Sequence, residues 1–164
     1  MTIGSVRIGR ARPAAIAVLA LLLVASAIWL YSGTASRRAA DTARADAVAA
    51  ARESIVEMLS YRPDTAETKL NAARDRLTGP FLESYNQLIQ TVVIPGATQK
   101  KITAAAQVPA AAAISGGADG AVVLAYVDQS LSVGSAAPTR TNSSVRVTME
   151  KLDGRWLISG FDPI

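Results

Sequence analysis

Few side chains in this sequence are equipped for catalysis. It contains no histidine and no cysteine. That removes thiol chemistry, disulfides and thiolate metal sites, together with the commonest general base and the commonest metal ligand. Carboxylates, tyrosines and hydroxyls remain. Ser60, Tyr61 and Asp64 form the most distinctive cluster. They read either as a capped turn between helices or as a contact for a partner. Tyr126, Asp128 and Arg146 read either as a polar group in a pocket or as a solvated sheet face. Trp156 and Phe161 read as core residues, or with Tyr126 as the lining of a pocket between helices and sheet. Nothing in the sequence brings Asp64 and Asp128 together as an acid/base pair. Thr78-Gly79 reads as a capped helix start, a position that can also attract an anion. Gly116, Gly117 and Gly120 make a turn and not a phosphate loop, because no Gly-Lys-Ser/Thr follows. The expectation is a protein without catalytic, cofactor-binding or metal-binding residues, and therefore not an enzyme.

These residues sit on helices first and strands afterwards. From Arg38 to Leu59, Ala40, Ala43, Ala47, Val48, Ala51, Ile55, Met58 and Leu59 recur at spacings of three and four, which predicts a helix. Pro63 closes it, since the residue before a proline avoids helical geometry. Asp64 then serves as N-cap of a short second helix to about Arg76, with Glu67 completing a capping-box pattern. A third helix starts at Thr78-Gly79-Pro80. Its buried stripe is Phe81, Leu82, Tyr85, Leu88, Ile89, Val92 and Val93, and Pro95-Gly96 stops it. Strands are expected over Lys100–Ile114, with a bulge or edge position at Pro109, and over Ala121–Val133. Ala121 to Leu124 is apolar enough for an interior strand or for an edge that a partner covers. A loop follows over Gly134–Asn142. Ser143–Leu152 alternates cleanly, Asp153-Gly154 signals a hairpin, and Arg155–Asp162 is the last strand. Helices followed by antiparallel strands define an α+β domain, about three helices on a curved four-stranded antiparallel sheet.

Ahead of this domain, Ala14 to Tyr31 carries no charge. As a helix these residues would span ~27 Å, close to the hydrocarbon core of a bilayer. Trp29 and Tyr31 suit the headgroup interface at one end, and Pro13 suits a first helical turn at the other. A buried soluble helix is a competing reading. So is a cleaved signal peptide, because Ala25-Ser26-Ala27 resembles a cleavage site. The run continues through Ile28-Trp29-Leu30, which favours an uncleaved anchor. The expected organisation is a cytoplasmic tail (1–13), a transmembrane helix (14–31), a membrane-proximal helix (32–60) and an outer domain (61–164). Arg7, Arg10 and Arg12 precede the segment, and Arg37, Arg38 and Arg44 follow it, so the basic residues alone do not orient it. Of 17 basic residues in a net charge of +4, three lie in the tail. The high isoelectric point therefore reports the tail, and no nucleic-acid partner is expected.

Three stretches carry a family resemblance: Leu59-Ser60-Tyr61-Arg62-Pro63-Asp64-Thr65, Leu77-Thr78-Gly79-Pro80-Phe81, and Gly154-Arg155-Trp156-Leu157-Ile158 with Phe161 and Pro163. In this order, behind an N-terminal anchor, the chain resembles the Mce-associated membrane proteins of actinobacteria. Arg62 stands where that family often has an acidic residue. The resemblance implies a cone-shaped domain like nuclear transport factor 2, held outside the cell membrane by a single anchor with a cytoplasmic N-terminus. It implies a non-enzymatic accessory or stabilising subunit whose partners are Mce transporter subunits, importers of lipids or sterols. Two other expectations stand beside it. Inner-membrane scaffold proteins of type IV secretion have a similar layout of tail, anchor and outer α+β domain. A module that binds a lipid or small apolar molecule is the third.

Overall fold

The computed structural model describes residues 38–164. The expected tail, the expected membrane span Ala14–Tyr31 and the Ser32-Gly33-Thr34 break lie outside the described residues. Among those described, no helix is long and apolar enough to cross a membrane.

Helix α1 covers residues 38–59. Its inner stripe is Ala43, Ala47, Ala51, Ile55 and Met58, all buried, the repeat expected of a helix with one face on a core. Asp41 and Arg44 pair on its outer side at 3.0 Å. Helix α2 (Ala66–Ala73) runs into a 3-10 turn at Arg74–Arg76. The N-cap of α2 is Thr65 and not Asp64, and no side chain caps it. The Thr65 N–H closes a turn onto the Arg62 carbonyl at 3.0 Å. The Asp64 carboxylate turns to the Arg62 guanidinium instead, 3.1 Å away.

Helix α3 (Gly79–Leu88) does not stop at Pro95-Gly96. It passes through a π turn at Ile89–Val93 into α4 (Ile94–Lys100). A proline inside a regular helix loses its N–H bond and clashes with the preceding turn. Here the ladder has already widened, and Pro95 falls in the first turn of α4, where no N–H is required. The helix ends at Lys101, in the left-handed region at φ 53°, whose carbonyl accepts the Gly134 N–H at 3.0 Å.

Four strands follow: β1 (Ile102–Gly116), β2 (Gly120–Val133), β3 (Thr139–Leu152) and β4 (Arg155–Pro163). They form an antiparallel sheet in the order β1-β2-β3-β4. The architecture is the expected α+β arrangement of three helical segments and a four-stranded antiparallel sheet. β2 is an interior strand, which accounts for its apolar start without a partner. The loop expected over Gly134–Asn142 is shorter, because β3 already pairs at Thr139 with Leu131.

Two of the three register shifts in the sheet decide which side chains near the core face inward. The β1–β2 register breaks between Gln107 and Ala110, at Pro109. One unpaired residue inverts the alternation, so Ala104 and Ala106 face the core before the bulge, and Ala111 packs against it afterwards. A second shift in β4 leaves Ser159 without a partner between Ile158 and Gly160. Ile158 and Phe161, three apart, thereby both join the helix side of the sheet. The β3–β4 hairpin turns on Asp153 (φ 50°) and Gly154 (φ 78°), two left-handed residues in succession, as a type I′ turn requires. At Gly116 the restriction is space: an added Cβ would lie 2.9 Å from Ala121 Cβ. Residues Ala40–Ile164 form one compact unit, with a single core cluster drawn from α1, α2, the third helical segment through α4, and all four strands.

Candidate functional site

The turn after α1 is bound to the edge of the sheet. Tyr61 and Ala104 exchange two main-chain hydrogen bonds, and the Ala106 N–H donates to Ser60 Oγ at 3.0 Å. Further along β1, Arg52 donates to the Val108 carbonyl at 3.1 Å, and Arg44 donates to the Gly116 carbonyl at 3.0 Å. Outward-pointing main-chain groups of β1 are thus met by α1 and its turn, which blunts an edge that would otherwise invite strand pairing. The opposite edge is treated similarly at one point. The Thr78 N–H donates to the Ile158 carbonyl at 2.9 Å, and Arg155 reaches the Asp75 carbonyl at 2.8 Å. Ser60 and Tyr61 are therefore engaged inside the domain, while Asp64 remains exposed.

Tyr126, Asp128 and Arg146 lie on the face of the sheet away from the helices. Cross-strand neighbours share a face. Gln107, Asp128 and Asn142 line up across three strands, as do Ala110, Tyr126 and Ser144. Asn142 donates its side-chain amide to Asp128. Tyr126 is 51% exposed. It borders a groove of about 720 Å³ whose other walls include Pro109, Asn142 and Ile164. This is a solvated face with one large aromatic on it, and not a pocket interior.

Trp156 is buried at 7% exposure, faces the core, and carries the Lys151 ammonium 5.6 Å from its ring centroid. Phe161, in contrast, lines a cavity of about 330 Å³ between helices and sheet. Met58 and Leu59 come from the end of α1, Leu70 from α2, Phe81, Tyr85, Leu88, Ile89 and Val93 from the third helical segment, and Gln129 and Phe161 from the sheet. Tyr61 reaches the same cavity. Phe81 and Phe161 stack with centroids 6.0 Å apart, and Phe81 meets Tyr85 at 6.4 Å. The Tyr85 hydroxyl has two carbonyls within reach, Leu70 at 3.4 Å and Met58 at 3.5 Å. Burial pushes its acidity well below that of a free phenol, and the neighbouring Tyr61 adds to this. Burial also raises the pKa of Tyr61. Both phenols stay protonated at neutral pH, so the cavity is uncharged there.

The three residues expected to line one pocket thus separate: Tyr126 on the open face, Trp156 in the core, Phe161 in the cavity. Tyr85, Leu88 and Ile89 belong to the cavity but read in the sequence only as part of a buried stripe. The width of that stripe was the available signal. Seven apolar residues between Phe81 and Val93 exceed what one packed face needs, and Leu88 and Val92 are 51% and 59% exposed.

This arrangement, helices on one face of a four-stranded antiparallel meander, defines a class of small α+β domain also seen in solved bacterial secretion proteins. An IcmL-like type IV secretion system protein from Legionella pneumophila superposes with a TM-score of 0.63 at 12% identity, over 74% of this chain and 93% of that one. The periplasmic domain of DotI gives 0.61 at 15% identity, over 71% and 91%. By sequence, the family described as Rv1363c/MT1408-like uncharacterized proteins matches residues 8–162, and this chain belongs to it. A relative from Mycobacterium tuberculosis, described as outer membrane protein Rv1973, is 53% identical over 146 residues, 89% of this chain and 91% of its own length.

Proposed function

We propose that this protein is a non-catalytic interaction subunit of the cell envelope, an α+β domain held at a membrane by the Ala14–Tyr31 segment with its N-terminus in the cytoplasm. The observation that carries the reading is where the polar chemistry has gone. The side chains of Ser60, Arg44 and Arg52 are engaged on the edge of β1, Tyr61 joins that edge through its main chain alone, and the two perturbed phenols are held neutral by burial. What faces outward is a sheet face bearing Tyr126, a residue type that contributes strongly where proteins meet. The description of the relative as an outer membrane protein, and of the DotI domain as periplasmic, supports an envelope location. A membrane tether raises the effective concentration of such a domain for a membrane-bound partner.

The complex it serves is, in this reading, a Mce-type lipid or sterol importer, which the three sequence stretches favour. The domain would then be the one like nuclear transport factor 2 that the resemblance implies. The test is a crosslinked membrane pull-down of the C-terminally tagged full-length chain, with a photoreactive residue at Tyr126. Recovery of Mce subunits is the expected result. The likeness in fold to secretion proteins favours a second reading, an assembly scaffold of an export machine. Recovery of an ATPase and channel proteins instead would establish that reading and overturn the first. Deletion of the chain is expected to lower the amount of the transporter. Normal lipid uptake with stable Mce subunits after deletion would refute the transporter role.

A further inference from the structure

The cavity between helices and sheet is not used by the function proposed above. Its walls hold no Lys, Arg, Asp or Glu. At about 330 Å³ it is roughly twice the ~150 Å³ apolar cavity that stays dry and takes up benzene. It also reaches the lower end of the ~300–1,000 Å³ range of small-molecule sites.

Its polar groups divide into two sets. The Tyr85 hydroxyl is within reach of main-chain carbonyls, and Ser84 Oγ donates to the Pro80 carbonyl at 3.0 Å. Tyr61 and Gln129, whose side chains make no hydrogen bond to another described residue, are also among the residues that line the cavity. An apolar chamber with two unspent neutral polar groups matches a molecule built the same way: an apolar chain with one uncharged polar end. At the mouth, Leu88 is half exposed on the third helical segment.

The geometry points to this cavity as a binding site for a neutral single-chain amphiphile, a fatty alcohol or the ester end of an acyl chain, held by Tyr61 and Gln129. The volume admits one chain and not a whole phospholipid. The absence of a lining cation disfavours an ionised carboxylate or phosphate, whose burial without a partner is costly. This inference is independent of which envelope complex the protein serves.

The full-length chain, in discs of a phosphatidylcholine, is photolabelled with a diazirine analogue of decanol and digested for mass spectrometry. Labelling of the Phe81–Val93 region, displaced by excess decanol, is the expected result. Leu88→Arg and Ser84→Trp, on exposed positions at the mouth, are expected to cut that label at least tenfold. Whichever variant melts like the parent is the one read. Gln129→Leu keeps the chamber apolar and is expected to cut capture of the alcohol several-fold while leaving a diazirine alkane unaffected. Label confined to the Ala14–Tyr31 peptide overturns the proposal, as does label on Phe81–Val93 that persists in a folded mouth variant. Equal loss of alcohol and alkane in Gln129→Leu would remove the polar-end assignment.

Discussion

Tyr61 and Ala104, 43 positions apart, form an isolated antiparallel bridge through two hydrogen bonds of 2.9 Å each. With the Ser60 hydroxyl on the Ala106 N–H, this bridge fixes the end of α1 to the first strand. Replacing Ser60 by alanine strands the Ala106 N–H at a partly buried site. We expect a loss of about 1 kcal/mol in urea denaturation. Amide exchange at Ala106 should accelerate as well. Tyr126→Ala, on the open face, should change stability by no more than about 0.5 kcal/mol. Equal effects of the two substitutions would contradict this account of the turn.

Helix α1 is held by its apolar stripe and only decorated by its ion pairs. Arg76 reaches Glu57 at 3.0 Å and Glu53 at 3.4 Å, in pairs open to solvent. Exposed pairs contribute roughly 0.2–1 kcal/mol and weaken with salt. Ile55 is fully buried, and its truncation to alanine costs about 2–5 kcal/mol. Arg76→Ala should therefore be mild and salt-dependent, and Ile55→Ala severe and salt-independent. Denaturation midpoints at low and high ionic strength distinguish the two.

The stack of Phe81 on Phe161 joins the third helical segment to the last strand. Such pairs couple by about 0.5–1.5 kcal/mol beyond the area they bury. A double-mutant cycle with Phe81→Leu and Phe161→Leu should return a coupling in that range. Strict additivity would mean that the rings pack independently.

Tyr85 makes stability depend on alkaline pH. Burial raises its folded pKa above the ordinary 10.0. The folded state therefore holds the proton more tightly than the unfolded chain does. The resulting stability is fully present below pH 10 and is lost as pH climbs from there toward the folded value. Tyr85→Phe removes the ionisable group. It should cost about 1 kcal/mol or less at pH 7, given the long hydrogen bonds, and flatten the decline above pH 10. Denaturation curves from pH 7 to 11 for both proteins test this. Parallel curves would assign the alkaline loss elsewhere.

Much of this architecture was legible where a local rule speaks strongly. Asp153-Gly154 reads as a hairpin because few residue pairs accept two left-handed conformations. Pro109 reads as a bulge or edge because it has no N–H for a ladder, and it is both. The errors have physical causes. Pro95 reads as a stop because a π turn leaves no mark in residue type. Asp64 reads as a cap, but a guanidinium two residues earlier competes for its carboxylate. The start of β3 carries Thr139, Arg140, Thr141 and Asn142, so no apolar alternation announces it. Phe161 looks misplaced relative to Ile158 until the unpaired Ser159 is counted. The cavity was the least legible feature, because a void is set by how segments from five elements fail to meet.

The small side chains of α1 also bear on how the protein is made. The sheet residues sharing its core emerge roughly 50–100 residues later, which at ~5–20 residues per second is a wait of several seconds. During that interval the stripe has only α2 and the third helical segment to bury itself against. Built mostly of alanine, it offers chaperones and neighbouring nascent chains far less adhesive surface than a leucine stripe would. The same residues that let the finished helix lie close against the sheet keep the unfinished chain quiet beside the ribosome.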